Sequence, residues 1–264
     1  MTKLKAVLNT TGYLNRINFP QRASVDLETL HTLHEYHVLS IPFENLDIQN
    51  KIEIRLEKKH LFKKIVENVR GGFCYELNYL FSRLLLDLGF DVTLISARIF
   101  DGEEVGPEFD HMALIIKLGK KNWLADVGFG DLFTKPLDID TAAEQFDGRN
   151  YFKIERWEKG SFLLTMSKNG VEYEKKYLFK TKRKAIEDFS AQCAFKQYAP
   201  ASYFVKNIIV TLPIENGRKT IFNSKYIVKE NGAKTELTIN SKKEEACILK
   251  KEFNIQINAV TDQA

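Results

Sequence analysis

A cysteine, a histidine and an aspartate suffice to build an activated sulfur nucleophile, and this chain offers a candidate for each part. Cys74 lies in RGGFCYELNYLF, residues 70–81, two positions after a glycine pair and at the head of an apolar run. Only roughly 3% of an ordinary thiol is ionised at pH 7. An imidazolium beside it can raise that share about thirtyfold, on the order of 2 kcal/mol. A carboxylate beside the imidazole fixes its tautomer and stabilises its charged form. His111 and Asp126 are the candidates for these two parts. The bland alternatives are a packing cysteine, a strand-end histidine bonded to backbone, and an aspartate that starts a turn before Gly128.

The surrounding pattern says which elements must bring the three together. Leu77, Leu80, Phe81, Leu84, Leu85 and Leu88 recur at helical spacing. They predict a buried helix stopped by Gly89, with Cys74 in its first turn. Unpaired N–H groups and the helix dipole favour negative charge there. Gly71 and Gly72 permit unusual dihedrals and close approach of a backbone or ligand. His111 opens the strand HMALIIKL, Asp126 ends the strand NWLADV, and GKKN joins them. A two- or four-residue hairpin loop makes paired residue numbers sum to an odd value. His111 and Asp126 then share a sheet face, opposed or near-diagonal.

Ahead of this lies a helical region. SVDLETLHTLHEYHVL repeats Leu27, Leu30, Leu33 and Val38, with Ser24 or Asp26 as cap and Pro42 as stop. LFKKIVENV is a second short helix. VTLISARIF and the acidic loop DGEEVGPEFD precede the His111 strand. From about residue 150 come the strand-like pieces YFKIERW, SFLLTMS, FVKNIIVTL and YIVKE, with turns at Asn169, Asn216 and Asn231, and EEACILKKEFNI reads as a closing helix. The chain of 264 residues, 44% hydrophobic, can bury one large core or two to three small ones. A net charge of +4 gives no reason to expect nucleic acid or membrane as partner. The first twenty residues lack a signal-peptide core, and no window approaches the roughly 20 apolar residues of a membrane span. Three widely spaced cysteines argue against a disulfide framework, so a cytoplasmic location is expected.

Other features carry less. His31, His34 and His37 fall three apart on one helix, so the outer two diverge by about 120° and converge poorly on a metal. No metal site is expected. VGFGDLF lacks the third glycine of a dinucleotide fingerprint, and Pro136 follows soon. KKYLFKTKRK has six basic residues in ten, a solvated face or an attraction for phosphates. Cys193 and Cys247 lie in helical patterns without a nearby histidine and read as packing residues.

Taken together, YLNRI, HEYHVLSIPFENLDI, KIVENVRGGFCYELNYLF, DHMALII, LADVGFG, EDFSAQCAFKQYAPASYF and NGRKTI resemble the arylamine N-acetyltransferase family along nearly the whole chain. The resemblance implies an α+β, three-part architecture like that of cysteine proteases and transglutaminases. A helical bundle (1–89) would carry the nucleophile, a β-barrel (90–185) the histidine and aspartate, and an α/β lid (186–264) would cover them. It implies that Cys74 is the nucleophile, His111 the base and Asp126 the orienting carboxylate. Phe43, Gly128, Phe129 and Gly130 would line the acceptor pocket. Arg70 and Glu44 would be buried polar supports, and His37 structural. Pro107, Glu108, Phe195 and Ser202 would approach coenzyme A. CAF at 193–195 departs from the family's Asn-x-aromatic with tyrosine, which removes a hydroxyl from the cofactor side, and the loop before His111 is unusually acidic for a polyphosphate surface.

The activity so implied is acetyl transfer from acetyl-CoA to an arylamine or hydrazine in two half-reactions through acetylated Cys74. An aromatic amine is neutral and nucleophilic at pH 7, whereas an alkyl amine is mostly protonated. The alternatives are an amide synthase of the same family and a transglutaminase- or cysteine-peptidase-like enzyme.

Overall fold

The computed structural model describes residues 9–256. The opening residues read against a signal peptide, and the outer ends of the first and third expected parts, reach beyond that range. The α+β, three-part architecture is as expected.

The helical region holds α1 (Thr10–Arg16), α2 (Leu27–Ser40), the short strand β1 (Phe43–Glu44), α3 (Leu46–Gln49), α4 (Lys58–Phe62) with a π-helical turn (Lys63–Glu67), and α5 (Cys74–Asp87). Asp26 caps α2, accepting the Thr29 N–H at 2.7 Å. The chain leaves the π turn through Val69 at φ +52, a left-handed conformation rare for a β-branched residue. Nothing in the sequence pattern announces it. Helix α5 begins at Cys74, and Gly89 follows its end at φ +99. Its apolar face packs at the centre of a core with Tyr13, Leu30, Leu33 and Ile65.

Next come β2 (Asp91–Asp101), β3 (Glu104–Val105), β4 (His111–Leu118), β5 (Lys121–Ala125), β6 (Leu137–Asp138), β7 (Gln145–Phe146), β8 (Tyr151–Trp157), β9 (Ser161–Ser167) and β10 (Glu174–Phe179). They form one antiparallel sheet ordered β6-β5-β4-β2-β10-β9-β8-β7, with β3 paired to β2. The β4–β5 hairpin pairs Leu118 with Lys121 and Leu114 with Ala125. Its loop is therefore two residues long, opened by Gly119 at φ +60. The sheet closes around a second core of Ile95, Ala113, Phe133, Phe152 and Tyr177.

The last region holds α6 (Ser190–Tyr198), α7 (Tyr203–Lys206), β11 (Ile209–Ile214), β12 (Gly217–Phe222), β13 (Lys225–Glu230), β14 (Ala233–Thr238) and α8 (Lys242–Phe253). Its sheet runs β1-β11-β12-β13-β14, so a strand from the helical region forms one edge. FVKNIIVTL is not one strand: Phe204 and Val205 belong to α7, because the Ser202 hydroxyl accepts the Phe204 N–H and starts a helical turn. Cys193 is buried as expected, but Cys247 is exposed. Helix α8 buries Leu249 and Phe253, and Cys247 lies off that narrow stripe.

Candidate active site

Cys74, His111 and Asp126 meet where α5 abuts the β4–β5 hairpin. All three are buried, at 3%, 1% and 2% exposure. Asp126 sits just past the end of β5, diagonal to His111 across the hairpin. His111 Nε2 donates to Asp126 Oδ2 at 2.6 Å, and Cys74 is a near neighbour of the imidazole that favours its charged form. Asp126 Oδ1 accepts from Asn78 Nδ2 at 2.8 Å and from the Gly128 N–H at 3.0 Å. Burial alone would strip the proton from His111. The charge of Asp126 and bonds to Asp126 and Cys74 outweigh it, and the imidazole is pushed up to about 10. For Asp126, burial works against ionisation, yet His111, Asn78 and the Gly128 N–H hold its carboxyl below the usual range. The histidine therefore rests as an imidazolium between a carboxylate and a sulfur.

The glycines act by closeness. Neither Gly71 nor Gly72 has a positive φ, so unusual dihedrals are not their reason. A Cβ on Gly71 would meet the Pro42 carbonyl oxygen at 2.0 Å, and one on Gly128 would meet the Cys74 carbonyl oxygen at 2.8 Å. Gly72 accepts the Glu44 N–H at 2.9 Å, which ties β1 and its Phe43 to the turn before the cysteine. Beneath that turn lies a buried ion cluster. Arg70 Nη2 bonds Glu44 and Asp47 at 2.8 Å each, and Lys64 Nζ bonds Asp47 at 2.7 Å and Glu76 at 2.8 Å. Glu76 also accepts the Phe73 N–H at 3.1 Å, fixing the first turn of α5. Burial and the neighbouring carboxylates push Glu76 up to about 7 despite Lys64.

Comparison with known proteins matches this chain and this fold to one group. The sequence profile described as N-acetyltransferase covers residues 26–261. The chain belongs to the arylamine N-acetyltransferase family. It is 30% identical to the arylamine N-acetyltransferase, pineal gland isozyme NAT-10, of Gallus gallus, over 94% of this chain and 92% of that one. The structure resembles the arylamine N-acetyltransferase from Salmonella typhimurium at a TM-score of 0.88 and 26% identity, covering 96% and 93% of the two chains. It also resembles a Bacillus cereus arylamine N-acetyltransferase, described as having a unique Cys-His-Glu catalytic triad, at a TM-score of 0.86 and 26% identity, covering 94% and 98%. In this chain the carboxylate bonded to His111 is that of Asp126.

On one side of the imidazole the residues expected of an acceptor pocket gather. The Phe129 ring stands edge-on to His111 at 5.4 Å. Gly130, at φ +92, packs against Phe43 and Thr211. Phe43, Phe129 and Asp126 line a cavity of about 30 Å³. On the other side, Pro107 and Glu108 are exposed on the loop before β4. Lys196 bonds Asp110 at 2.7 Å and so draws α6, with Phe195 at 45% exposure, alongside that loop. Ser202 is 2% exposed; its hydroxyl donates to the Lys196 carbonyl at 2.8 Å and is taken up in starting α7. A pocket of about 380 Å³ adjoins Glu108 and Phe109 and is lined by Arg98, Lys180, Lys182 and Lys184, part of the basic run in KKYLFKTKRK.

Four neighbours of the site escaped the sequence pattern. Asn78 holds Asp126, the Met112 carbonyl and the Val127 N–H at once. It lies one turn on from Cys74 on α5, and that spacing was the available signal. His34 Nε2 accepts the Asp126 N–H. Tyr177 packs against His111 at 5.6 Å and Phe129 at 5.8 Å. Its hydroxyl meets no partner at hydrogen-bonding geometry, although the Asp126 carboxylate is a near neighbour. Phe204, from α7, stands 6.0 Å from Phe43 and 5.9 Å from Phe73. His37, expected to be structural, bonds the Tyr13 hydroxyl at 2.8 Å.

Proposed function

We propose that this protein transfers the acetyl group of acetyl-CoA to an aromatic amine or hydrazine through an acetyl-cysteine on Cys74. The observation that carries the reading is the buried line of sulfur, imidazole and carboxylate, with His111 held protonated by Asp126. In the first half-reaction the Cys74 thiolate attacks the thioester carbonyl. The C–S bond to coenzyme A breaks, and the His111 proton goes to the departing sulfur. Acetylation removes the negative charge that Cys74 offers the imidazole. His111 is then neutral and can take a proton from the amine as its nitrogen attacks. The new amide leaves and the thiolate–imidazolium pair returns. Backbone N–H groups at the start of α5 stabilise the oxyanion.

The acceptor ring goes beside Phe43 and Phe129, with Gly128 and Gly130 allowing the loop to approach the sulfur. The donor enters along Pro107, Glu108 and Phe195, where α6 meets the loop before β4. The pocket with Lys180, Lys182 and Lys184 supplies charge for the phosphates that the acidic loop does not. Ser202 supports this wall from behind. No helix among the described residues is long and apolar enough to cross a membrane, and three free cysteines suit a reducing cytoplasm.

The test is to mix the protein with acetyl-CoA and no amine. About one equivalent of coenzyme A is released, and the peptide containing Cys74 gains one acetyl mass. Initial rates at several fixed amine concentrations then give parallel double-reciprocal lines. Intersecting lines with no adduct on Cys74 would reject the two-step mechanism.

A further inference from the structure

We propose that Asn78 is a positioning residue of the reaction, whose side-chain amide aims the Asp126 carboxylate at His111 and keeps it charged. The proposal rests on the reading of Cys74 as nucleophile and not on which donor or acceptor it serves. Asn78 lies on α5 one turn beyond Cys74 and is 0% exposed. Its Nδ2 donates to Asp126 Oδ1 at 2.8 Å and to the Met112 carbonyl at 2.6 Å. Its Oδ1 accepts the Val127 N–H at 2.9 Å. Met112 follows His111 on β4, and Val127 follows Asp126. One amide therefore ties the helix of the sulfur, the strand of the imidazole and the turn of the carboxylate to one another.

Asp126 needs such a tie because β5 ends at Ala125. Beyond that point side chains take three successive backbone N–H groups: His34 that of Asp126, Asn78 that of Val127, and the Asp126 carboxylate that of Gly128. The carboxylate would otherwise be free to turn about its last bond. Asn78 and the Gly128 N–H together occupy Oδ1, so Oδ2 is the oxygen that meets His111 at 2.6 Å. Only an amide offers two hydrogens and an acceptor at this reach. An aspartate there would offer no donor when ionised, and a leucine would leave the carbonyl, the carboxylate oxygen and the Val127 N–H without this partner. There is no room for a longer side chain: a Cβ on Gly128 would already meet Asn78 Nδ2 at 2.6 Å and Cys74 Cα at 2.9 Å.

The bond also bears on charge. Burial works against ionisation of Asp126, and His111, then Asn78, then the Gly128 N–H oppose it. The titratable groups that face this carboxylate are His111 from β4, Cys74 from α5, His34 from α2 and Tyr177 from β10. Burial, and then the charge of Asp126, keep the Tyr177 hydroxyl protonated. Burial pushes His34 down to about 4. Above that value the sulfur, imidazole and carboxylate take up and release protons as one unit. Asn78 donates to the negative end of the unit. Loss of that donor raises the unit's affinity for a proton, so the reactive form is lost at a higher pH.

Alkylation of Cys74 by iodoacetamide across a pH series tests this without any acyl donor, on the full chain carrying Cys247→Ser. In Asn78→Ala the acid limb of the rate profile is expected to move up by about one pH unit, a tenfold change in proton affinity. In Asn78→Ser, which keeps one hydroxyl donor, it moves less. In turnover, Asn78→Ala is expected to cost about tenfold near neutral pH but to add little in an Asp126→Asn background, because it acts through that carboxylate. A rate lowered equally at every pH, with the limb unmoved, would make Asn78 structural and overturn the proposal. So would the same fold-loss in both backgrounds, or loss of a cooperative melt in Asn78→Ala and Asn78→Ser alike. If the wild-type protein acetylated no amine, the acetyl-transfer reading would fail, while a shifted alkylation limb would still support the role of Asn78.

Discussion

His34 accepts the backbone N–H of Asp126 through Nε2 at 3.1 Å and donates from Nδ1 to the Thr134 carbonyl at 2.8 Å. A single tautomer of the neutral ring does both, so the imidazole must stay unprotonated to hold the carboxylate's backbone. Burial pushes it down to about 4, against the pull of Thr134 and Asp126. An unfolded histidine takes its proton near 6.5. Between those values the unfolded chain binds more protons, so stability falls as pH falls from 6.5 toward 4, by on the order of 3 kcal/mol. His34→Leu removes that titration but orphans a buried N–H, a loss of about 1–3 kcal/mol. The variant is expected to be clearly less stable than wild type at pH 7.5, with the gap narrowing toward pH 4.5. Urea melts at the two pH values measure it, and a gap that does not change would mean His34 is not the titrating group.

Asp126 is the largest support for the charge on His111, so its removal should be felt in the rate more than in the fold. Asp126→Asn keeps the shape and can still accept a bond, but it loses the attraction that offsets burial of the imidazolium. A drop of about 10⁴ in kcat is expected, the scale seen when an orienting carboxylate is neutralised. Asp126→Glu keeps the charge at the cost of one extra methylene and is expected to retain more activity than Asp126→Asn. The glutamate in the Bacillus cereus neighbour's triad shows that this fold can use the longer acid. Near-normal turnover in folded Asp126→Asn would mean that another group orients the imidazole.

Two glycines with different surroundings separate close packing from backbone conformation. A Cβ at Gly71 has the Pro42 oxygen at 2.0 Å and Glu44 Cγ at 2.8 Å, and both belong to the floor under Cys74. Gly71→Ala must move that floor, at a cost of about 3 kcal/mol or more, with loss of activity. Gly102 lies at φ +58 with nothing within 4 Å of a Cβ. Gly102→Ala meets only the left-handed penalty, about 1 kcal/mol, and activity is unaffected. Thermal melts and initial rates of the two variants decide it; similar costs would show that conformation rather than contact governs Gly71.

Much of this arrangement could be read from the chain because it follows local periodicities. The 3.6-residue spacing behind Cys74 set its helix. The period of two along HMALIIKL and NWLADV put His111 beside Asp126, and the two-residue turn at Gly119 fixed the register. Contacts closed by distant segments had no such signature. His34 lies 92 positions from Asp126, and its helix reads as ordinary core packing with or without that bond. Tyr177 sat in a basic run that looked solvated, yet only β2 separates its strand from that of His111, and its ring reaches the imidazole. Phe204 and Val205 have strand-like side chains, and a serine hydroxyl decided their helical turn. Cys247 has the helical context of a packing residue, but a stripe of two buried side chains left it outside.

The thiols give the last prediction. Cys74 is 3% exposed but stands against His111, which carries positive charge. Cys193 is just as buried, and burial pushes its thiol up to about 12, so it is expected to resist alkylation at neutral pH. Cys247 is exposed and open to reagent. Limited iodoacetamide at pH 7 is therefore expected to label Cys74 and Cys247, with activity lost in step with Cys74 alone. Cys247→Ser should leave one reactive thiol and the same rate of inactivation. Peptide mass spectrometry alongside a residual-activity time course separates the two reactions. Inactivation that followed labelling of Cys193, or that slowed in Cys247→Ser, would move the reactive sulfur away from the head of α5.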